Sequence, residues 1–147
     1  MELDFAILAR RVETKKGMSH TEALGWKSYT TLAFPQVLDA ALLLRVDLEG
    51  WESALPHTVE IFFLDEHGNN IATPIGAEIQ VKVGQKHFTQ NFGLQDVMLK
   101  QEGNYKIEIC LDRNLVKTIP FKVKLVRDRA VAQAPSVSPA PVPTPSN

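Results

Sequence analysis

The strongest constraint on the fold is a two-residue alternation of apolar and polar side chains near the end of the chain. Every second residue from Tyr105 to Leu111 is apolar, and Lys106, Glu108 and Asp112 fall on the opposite face. Successive side chains of a β-strand point to opposite faces, so this pattern is typical of a strand with one buried face. The alternation resumes over residues 119–125, after Asp112-Arg113-Asn114, which tolerate the backbone of a short turn. Residues 103–126 are therefore predicted to form a β-hairpin.

The same rhythm predicts strands elsewhere. Apolar residues occupy every second position from Ala40 to Leu48, with Arg45 and Asp47 between them. Residues 58–64 and 78–83 alternate as well. Residues 3–8 are apolar on both faces and favour a first strand, although a short helix is also possible. Residues 13–36 have weak periodicity and could hold two short strands or a long ordered loop.

Seven to nine short strands without a convincing long helix predict an all-β protein, a two-sheet antiparallel sandwich. Residues 65–70, DEHGNN, give the strongest hairpin signal between strands. Residues 99–107 resemble the tyrosine corner of immunoglobulin-like Greek keys, in which a tyrosine, here Tyr105, bonds back across the corner. The paired cysteines and core tryptophan of antibody domains are absent, so the resemblance implies a corner geometry and not their binding function.

Length and charge restrict the class of protein. The chain has 147 residues, which is about one domain, and its net charge of −1 does not favour nucleic acid or anionic membranes as partners. No stretch is long and apolar enough for a membrane span. Cys110 is the one cysteine, and the N-terminal residues lack a basic leader. We therefore expect a protein of the reducing cytoplasm that neither binds nucleic acid nor spans a membrane.

The composition changes sharply near the end of the chain. From residue 130 onward there is no charge, and five of the nine prolines of the chain lie there. Such a segment cannot bury enough apolar surface to offset the entropy lost on ordering. We predict a β-sandwich domain over residues 1–128 and a disordered, partly polyproline-II tail over residues 129–147.

No motif predicts a catalytic, cofactor or metal site. The four histidines have no ligand spacing and lie in or beside predicted turns, so we expect solvated loop residues, although folding could bring two together. Residues 65–70 lack the closing glutamate of a calcium loop. Cys110 has acidic sequence neighbours that disfavour a reactive thiolate. Nucleophile-elbow and phosphate-loop motifs are missing, so we expect a protein that is not an enzyme and uses no cofactor.

Four residues are singled out as candidates for structural or interface roles. Asp4 lies inside an apolar run, and we expect it to be buried against a backbone N–H or an arginine, as Tyr105 is expected to be buried at its corner. Trp26 and Trp51 lie in or beside turn-rich segments, where a large aromatic residue either plugs the sandwich or anchors an interface. We favour the plug for Trp26 and an exposed contact for Trp51.

Five short motifs follow one another along the chain. They are Asp4-Phe5-Ala6-Ile7-Leu8-Ala9, Gly25-Trp26, Phe34-Pro35, Gly103-x-Tyr105 and Pro120-Phe121-x-Val123. In these the chain resembles a family of small uncharacterised bacterial proteins, each a single β-rich domain. The resemblance covers residues 1–126. It implies a bacterial, cytosolic β-sandwich and no catalytic residue.

Two functions of different class are compatible with this sequence. The first is a non-catalytic binding or interaction module in the bacterial cytoplasm, which presents loops or a sheet edge to a protein partner or to its own copy. The second is a small-ligand or carbohydrate-binding domain, with or without hydrolytic activity, that uses Trp51 and nearby carboxylates. A binding module calls for an apolar surface patch, whereas a ligand-binding domain calls for a pocket where a tryptophan and polar groups converge.

Overall fold

The fold is built from β-strands that pair mainly with antiparallel neighbours. The computed structural model describes residues 1–15, 18–22, 25–79 and 81–126, and within residues 11–15 and 18–22 it describes only the backbone. One 3₁₀ helix, Glu52–Ala54, accompanies the strands. The described strands are β1 Glu2–Ala9, β2 Arg11–Lys15, β3 Met18–Glu22, β4 Ser28–Thr31, β5 Gln36–Val37, β6 Ala41–Asp47, β7 His57–Leu64, β8 Ile75–Ile79, β9 His87–Gly93, β10 Met98–Leu99, β11 Gly103–Leu111 and β12 Asn114–Leu125.

Two main sheets form the sandwich. One has five strands in the order β4-β12-β11-β7-β8, and the other has three strands in the order β1-β6-β9. Two smaller sheets pair β10 with β5 and β2 with β3. The pairing of β4 with β12 is parallel, and the remaining pairs between named strands are antiparallel. The all-β sandwich prediction is confirmed; the described part holds more strands than the seven to nine expected because pieces as short as two residues, β5 and β10, also pair.

The core lies between the two main sheets. Alternate residues of β6 face it, and Leu42, Leu44 and Val46 are each 0% exposed. Across the interior, β7 contributes Ile61 and β11 contributes Ile107, both of the same buried cluster. Burying a side chain of this size stabilises the fold by about 1.5–3 kcal/mol relative to leaving it exposed. The predicted alternation is therefore what assembles the interior.

Strand β1 is covered on both faces, as its sequence predicted. Ala6 and Leu8 face the core, whereas Ala9 is buried although it points away from Leu8. On the neighbouring strand β6, Leu43 points away from the core and is still only 8% exposed. Strand β2 lies against β6. The strand interpretation of residues 3–8 is correct, and the helix alternative is not.

The hairpin β11–β12 turns at two residues with left-handed backbone. Asp112 has φ 48° and Arg113 has φ 69°, which is the geometry of a tight type I′ turn. At the other end of β11, the hydroxyl of Tyr105 donates a hydrogen bond of 2.6 Å to the carbonyl oxygen of Gln101. Tyr105 is 6% exposed. The predicted hairpin and the predicted tyrosine corner are thus both present.

The turn after β7 also matches its sequence. The carboxylate oxygen Oδ1 of Asp65 accepts hydrogen bonds from the N–H groups of His67 and Asn69, at 2.8 and 2.9 Å. Gly68 supplies a positive φ of 82°. These backbone hydrogen bonds, above all the one from Asn69, hold the pKa of Asp65 below its ordinary value. The residues DEHGNN therefore act as an Asx turn.

The strand predicted over residues 78–83 is shorter and earlier than expected. Strand β8 ends at Ile79, and Val83 is 83% exposed. A turn begins at Lys82, whose carbonyl oxygen accepts a 2.9 Å bond from the N–H of Gln85 and whose N–H donates 2.9 Å to the Gln85 side chain. These local bonds compete successfully with the sheet, so Val83 is placed in a loop.

The region of weak periodicity contains strands. Strands β2 and β3 pair with each other from Arg11 opposite Glu22 to Lys15 opposite Met18, so the alternative of short strands is correct and that of a long loop is wrong, although the region holds more strands than the two expected. Strand β4 then joins the five-stranded sheet beside β12. The tail predicted over residues 129–147 lies outside the described residues.

Candidate functional site

One end of the sandwich carries a buried histidine that joins two connections. His57 begins β7 and is 6% exposed. Its Nδ1 lies 2.7 Å from Oδ2 of Asp112 in the β11–β12 turn, and its Nε2 lies 2.7 Å from the carbonyl oxygen of Glu52. A carboxylate and a carbonyl oxygen are both acceptors, so both ring nitrogens must donate. The contacts therefore require the imidazolium form of His57.

The expectation that the histidines are solvated is wrong for His57. The pairing of Leu111 with Val59 brings the β11–β12 turn beside the start of β7, where Asp112 reaches the ring. His67 and His87 are exposed, as expected. The side chain of His20 lies outside the described residues.

The environment of His57 acts on its pKa in two opposing ways. Desolvation by burial tends to lower the pKa, because it disfavours the charged ring. The hydrogen bonds to Asp112 and to the Glu52 carbonyl outweigh that effect and raise the pKa of His57 above the ordinary 6.5. The direction agrees with the geometry, since both partners favour the charged ring.

Asp112 fixes the turn to β7 through its backbone as well as its side chain. Its Oδ1 accepts a 2.9 Å bond from the N–H of Thr58, and its own N–H donates 2.9 Å to the Thr58 carbonyl oxygen. Three hydrogen bonds thus connect Asp112 to the first two residues of β7. The turn and the strand form one fastened unit around His57.

Glu52 is held on the other side of the histidine. Its side chain is 8% exposed, Oε1 accepts a 2.8 Å bond from the N–H of Glu49, and Oε2 forms an ion pair with the α-ammonium of Met1. The hydrogen bond from this ammonium, followed by the one from Glu49, holds the pKa of Glu52 below its ordinary value. Glu52 therefore anchors the 3₁₀ helix in two ways. Its carboxylate binds Met1 and the N–H of Glu49, and its carbonyl oxygen contacts the ring of His57.

The hydroxyl of Ser53 serves the neighbouring loop and not the histidine. It donates 2.9 Å to the Gly50 carbonyl oxygen and accepts 2.7 Å from the N–H of Gly84. A nucleophilic serine needs a histidine nitrogen that is free to take its proton. Both nitrogens of His57 are bonded elsewhere, so this cluster fastens the loops together and does not form a catalytic triad.

Beside this cluster, three large apolar side chains project into solvent. Trp51 is 68% exposed, Leu55 is 49% exposed and Val83 is 83% exposed. The bond from Gly84 to Ser53 places the loop of Val83 against the loop of Trp51. We call Trp51, Leu55 and Val83 the Trp51 surface. Trp51 is exposed, as its sequence predicted, and its contact with a partner stays a prediction.

An acidic concavity of about 260 Å³ lies next to the Trp51 surface. It is lined by Met1, Glu2, Asp47, Leu48, Glu49 and Glu52. Three further concavities lie beside the C-terminal part of β12, beside Tyr105 and beside β8. Trp51 lines none of these four, and its side chain is largely exposed to solvent.

Trp26 belongs to the packing of the sandwich. Its ring centroid is 5.5 Å from that of Phe121, edge to face, and 5.7 Å from that of Tyr29. Phe121 lies far along β12 from the turn at Asp112. The two tryptophans therefore do not share a surface. Trp26 is half-buried against the core, and its role as a plug over the end of the sandwich stays a prediction.

The expected burial of Asp4 is wrong. Its side chain is 44% exposed, with Oδ2 lying 3.2 Å from Nε of Arg45. The register of β1 against β6 shifts between Leu3 and Phe5, and this bulge removes Asp4 from the inward alternation. The arginine partner that we expected is present, but the pair lies at the surface, where it contributes little stability.

Cys110 lies on the outer face of the five-stranded sheet. Burial, followed by the charges of Glu60 and Glu108, raises the pKa of its thiol. Within the described residues, His, Cys, Asp and Glu side chains form no group of three that a metal ion could use. In the same part of the chain, no helix has the length and apolar character needed to cross a bilayer.

Comparison with known proteins identifies the family. The family of unknown function DUF6941 matches residues 4–124, which is most of the chain, so the chain belongs to that family. No curated protein matches the chain.

Proposed function

We propose that this member of DUF6941 is a non-catalytic interaction module that binds a protein partner through the Trp51 surface. The observation that carries the proposal is the 68% exposure of Trp51 on a loop fastened by buried contacts. A tryptophan in solvent contributes nothing to folding, whereas on an ordered loop it loses little entropy when a partner covers it. Tryptophan is among the residues that most often dominate binding energy at protein interfaces.

The surroundings of the Trp51 surface suggest the chemistry of the partner. Leu55 and Val83 extend the apolar area, and the acidic concavity beside it includes Glu2, Asp47 and Glu49. Such a surface favours a protein with an apolar pocket for the indole and lysine or arginine side chains beside that pocket. Basic groups on the partner would raise the association rate and fix the orientation of binding.

The alternative, a carbohydrate or small-ligand site that uses Trp51, receives less support. Such sites are concave, with an aromatic ring and several polar groups around one cavity. Trp51 lines none of the four concavities, and the carboxylate of Glu52 is engaged by Met1 and the Glu49 N–H. A protein partner can cover an exposed tryptophan together with Leu55 and Val83, and it needs no cavity around the ring.

We place this activity in the bacterial cytoplasm. The resemblance of the sequence to a family of small bacterial proteins supports a bacterial source. The single, free cysteine Cys110 agrees with a reducing compartment. The compartment restricts the partner to proteins of the same cytoplasm, including a second copy of this chain.

The experiment is crosslinking in the native cell with the full chain, using a photoreactive amino acid at position 55. We expect one crosslinked protein, and we expect Trp51→Ala to weaken its affinity for the purified chain at least tenfold. The matched control is Leu32→Ala, because Leu32 is 82% exposed and does not belong to the Trp51 surface. Equal affinity of wild type and Trp51→Ala for the crosslinked protein would overturn the proposal.

A further inference from the structure

We infer that loss of the second ring proton of His57 loosens the loop that carries Trp51 by removing one of its fastenings, so that binding at the Trp51 surface weakens as the pH rises. The loosening of the loop follows from the geometry of the described residues. The effect on binding rests in addition on the proposed function. The fastening thus makes the surface sensitive to pH in the range where histidine titrates.

The argument begins with the number of protons that the contacts need. Nδ1 of His57 faces the carboxylate of Asp112 and Nε2 faces the carbonyl oxygen of Glu52, each at 2.7 Å. A neutral imidazole has only one N–H. When the ring loses a proton, one of its two nitrogens therefore has no hydrogen to donate. The lone pair of that nitrogen then faces a lone pair of the oxygen opposite it.

The contact that breaks is the one to the 3₁₀ helix. A hydrogen bond to a charged carboxylate is stronger than one to a neutral carbonyl, so the remaining proton stays on Nδ1, towards Asp112. Nε2 then presents its lone pair to the Glu52 carbonyl oxygen, which also accepts a 3.0 Å bond from the N–H of Leu55. This short helix begins directly after Trp51, so its displacement moves the indole.

The charged groups around the ring support this direction. Asp112 approaches from the β11–β12 turn, with Arg113 next to it in the chain, and Glu52 approaches from the 3₁₀ helix. The charge of Glu52 is paired with the α-ammonium of Met1. On the β8 side, His57 is paired with the apolar Ile79. Asp112 is thus the carboxylate that touches the ring directly.

The test uses the unmodified full chain. Two-dimensional NMR follows the indole N–H of Trp51 and the ring nitrogens of His57 from pH 5.5 to pH 9, with the indole of Trp26 as an internal control. We expect the Trp51 signal to shift in one transition with the same midpoint as His57, and the Trp26 signal to stay unchanged. Asp112→Asn should move that midpoint to lower pH, whereas His67→Gln and His87→Gln should leave it in place.

The possible results separate this inference from the proposed function. A His57 titration that leaves the Trp51 signal unchanged overturns the inference, even if Trp51→Ala still abolishes partner binding. A Trp51 signal that follows His57 supports the loosening of the loop, even if Trp51→Ala binds the partner as wild type does. Unchanged partner binding by Trp51→Ala would reject the proposed function, but it would leave the pH-dependent movement of the loop intact. If Asp112→Asn does not fold, the wild-type titration still decides the matter.

Discussion

His57 and Asp112 are 55 residues apart in the chain, and their Nδ1 and Oδ2 atoms lie 2.7 Å apart in the folded protein. This contact joins the beginning of β7 to the turn between β11 and β12. Through the other nitrogen of the same ring, the fastening reaches the 3₁₀ helix that follows Trp51. A buried side chain at this end of the sandwich is thus bonded to the helix that directly follows an exposed tryptophan.

Replacing His57 should destabilise the protein. In His57→Phe the ring keeps its bulk, but the Glu52 carbonyl and the Asp112 carboxylate each lose the hydrogen bond from His57. We expect the free energy of unfolding to fall by about 1–3 kcal/mol, the contribution of hydrogen bonds that involve a charged group. Urea denaturation at pH 6 measures it. His67→Gln, at an exposed position, serves as the control and should change stability by less than about 0.5 kcal/mol.

The stability of the protein should decrease as the pH rises through the pKa of His57, because that pKa is raised in the folded state. The charged ring of His57 is favoured in the folded state, so its contribution is fully present below the unfolded value of 6.5. That contribution is lost as the pH rises through the folded pKa. We expect the urea midpoint of wild type to fall between pH 6 and pH 8 more steeply than that of His57→Phe. Parallel curves for the two proteins would contradict the raised pKa.

Acid should destabilise the fold through Glu52 and Asp65. Their pKa values are lowered in the folded state, so their contributions are present above the unfolded values of 4.5 and 3.8 and are lost as the pH falls. In Glu52→Gln the loss of stability between pH 5 and pH 3 should be smaller than in wild type. Thermal unfolding monitored by circular dichroism at several pH values measures the difference. An unchanged acid slope would show that the pairing with Met1 has no energetic consequence.

Truncation to alanine should destabilise the protein at Trp26 and leave its stability nearly unchanged at Trp51. Trp26 packs on Phe121 and Tyr29, so Trp26→Ala should cost about 3 kcal/mol of stability through the cavity it leaves. Trp51 is 68% exposed, so Trp51→Ala should change stability by less than about 0.5 kcal/mol. Chemical denaturation of both variants provides the comparison. A large loss in Trp51→Ala would mean that this residue supports the fold and is not reserved for a partner.

The sandwich could be predicted from local patterns because each pattern acts on its own strand. The alternation around Leu42 and Ile107 identifies buried faces, and both residues are fully buried. The tyrosine corner was predictable for the same reason, because Tyr105 and its acceptor Gln101 are only four residues apart.

Features that depend on distant or irregular contacts could not be predicted in this way. The partners of His57 are the Asp112 side chain, which only the hairpin turn brings near, and a backbone carbonyl, which has no sequence signature. Asp4 left the inward face because of a bulge, and Val83 left the strand because a local turn formed. The exposure of Trp51 followed from its glycine-flanked loop, but its fastening to buried groups did not.

The most direct test of this account is the protonation state of the His57 ring in the full chain, measured by nitrogen NMR at pH 6.5. Half of an ordinary histidine population carries both ring protons at that pH. The account predicts that His57 is predominantly doubly protonated, with its N–H groups bonded to Asp112 and to the Glu52 carbonyl. A neutral ring with a single N–H would contradict it, because one of the two contacts at 2.7 Å would then lack a donor.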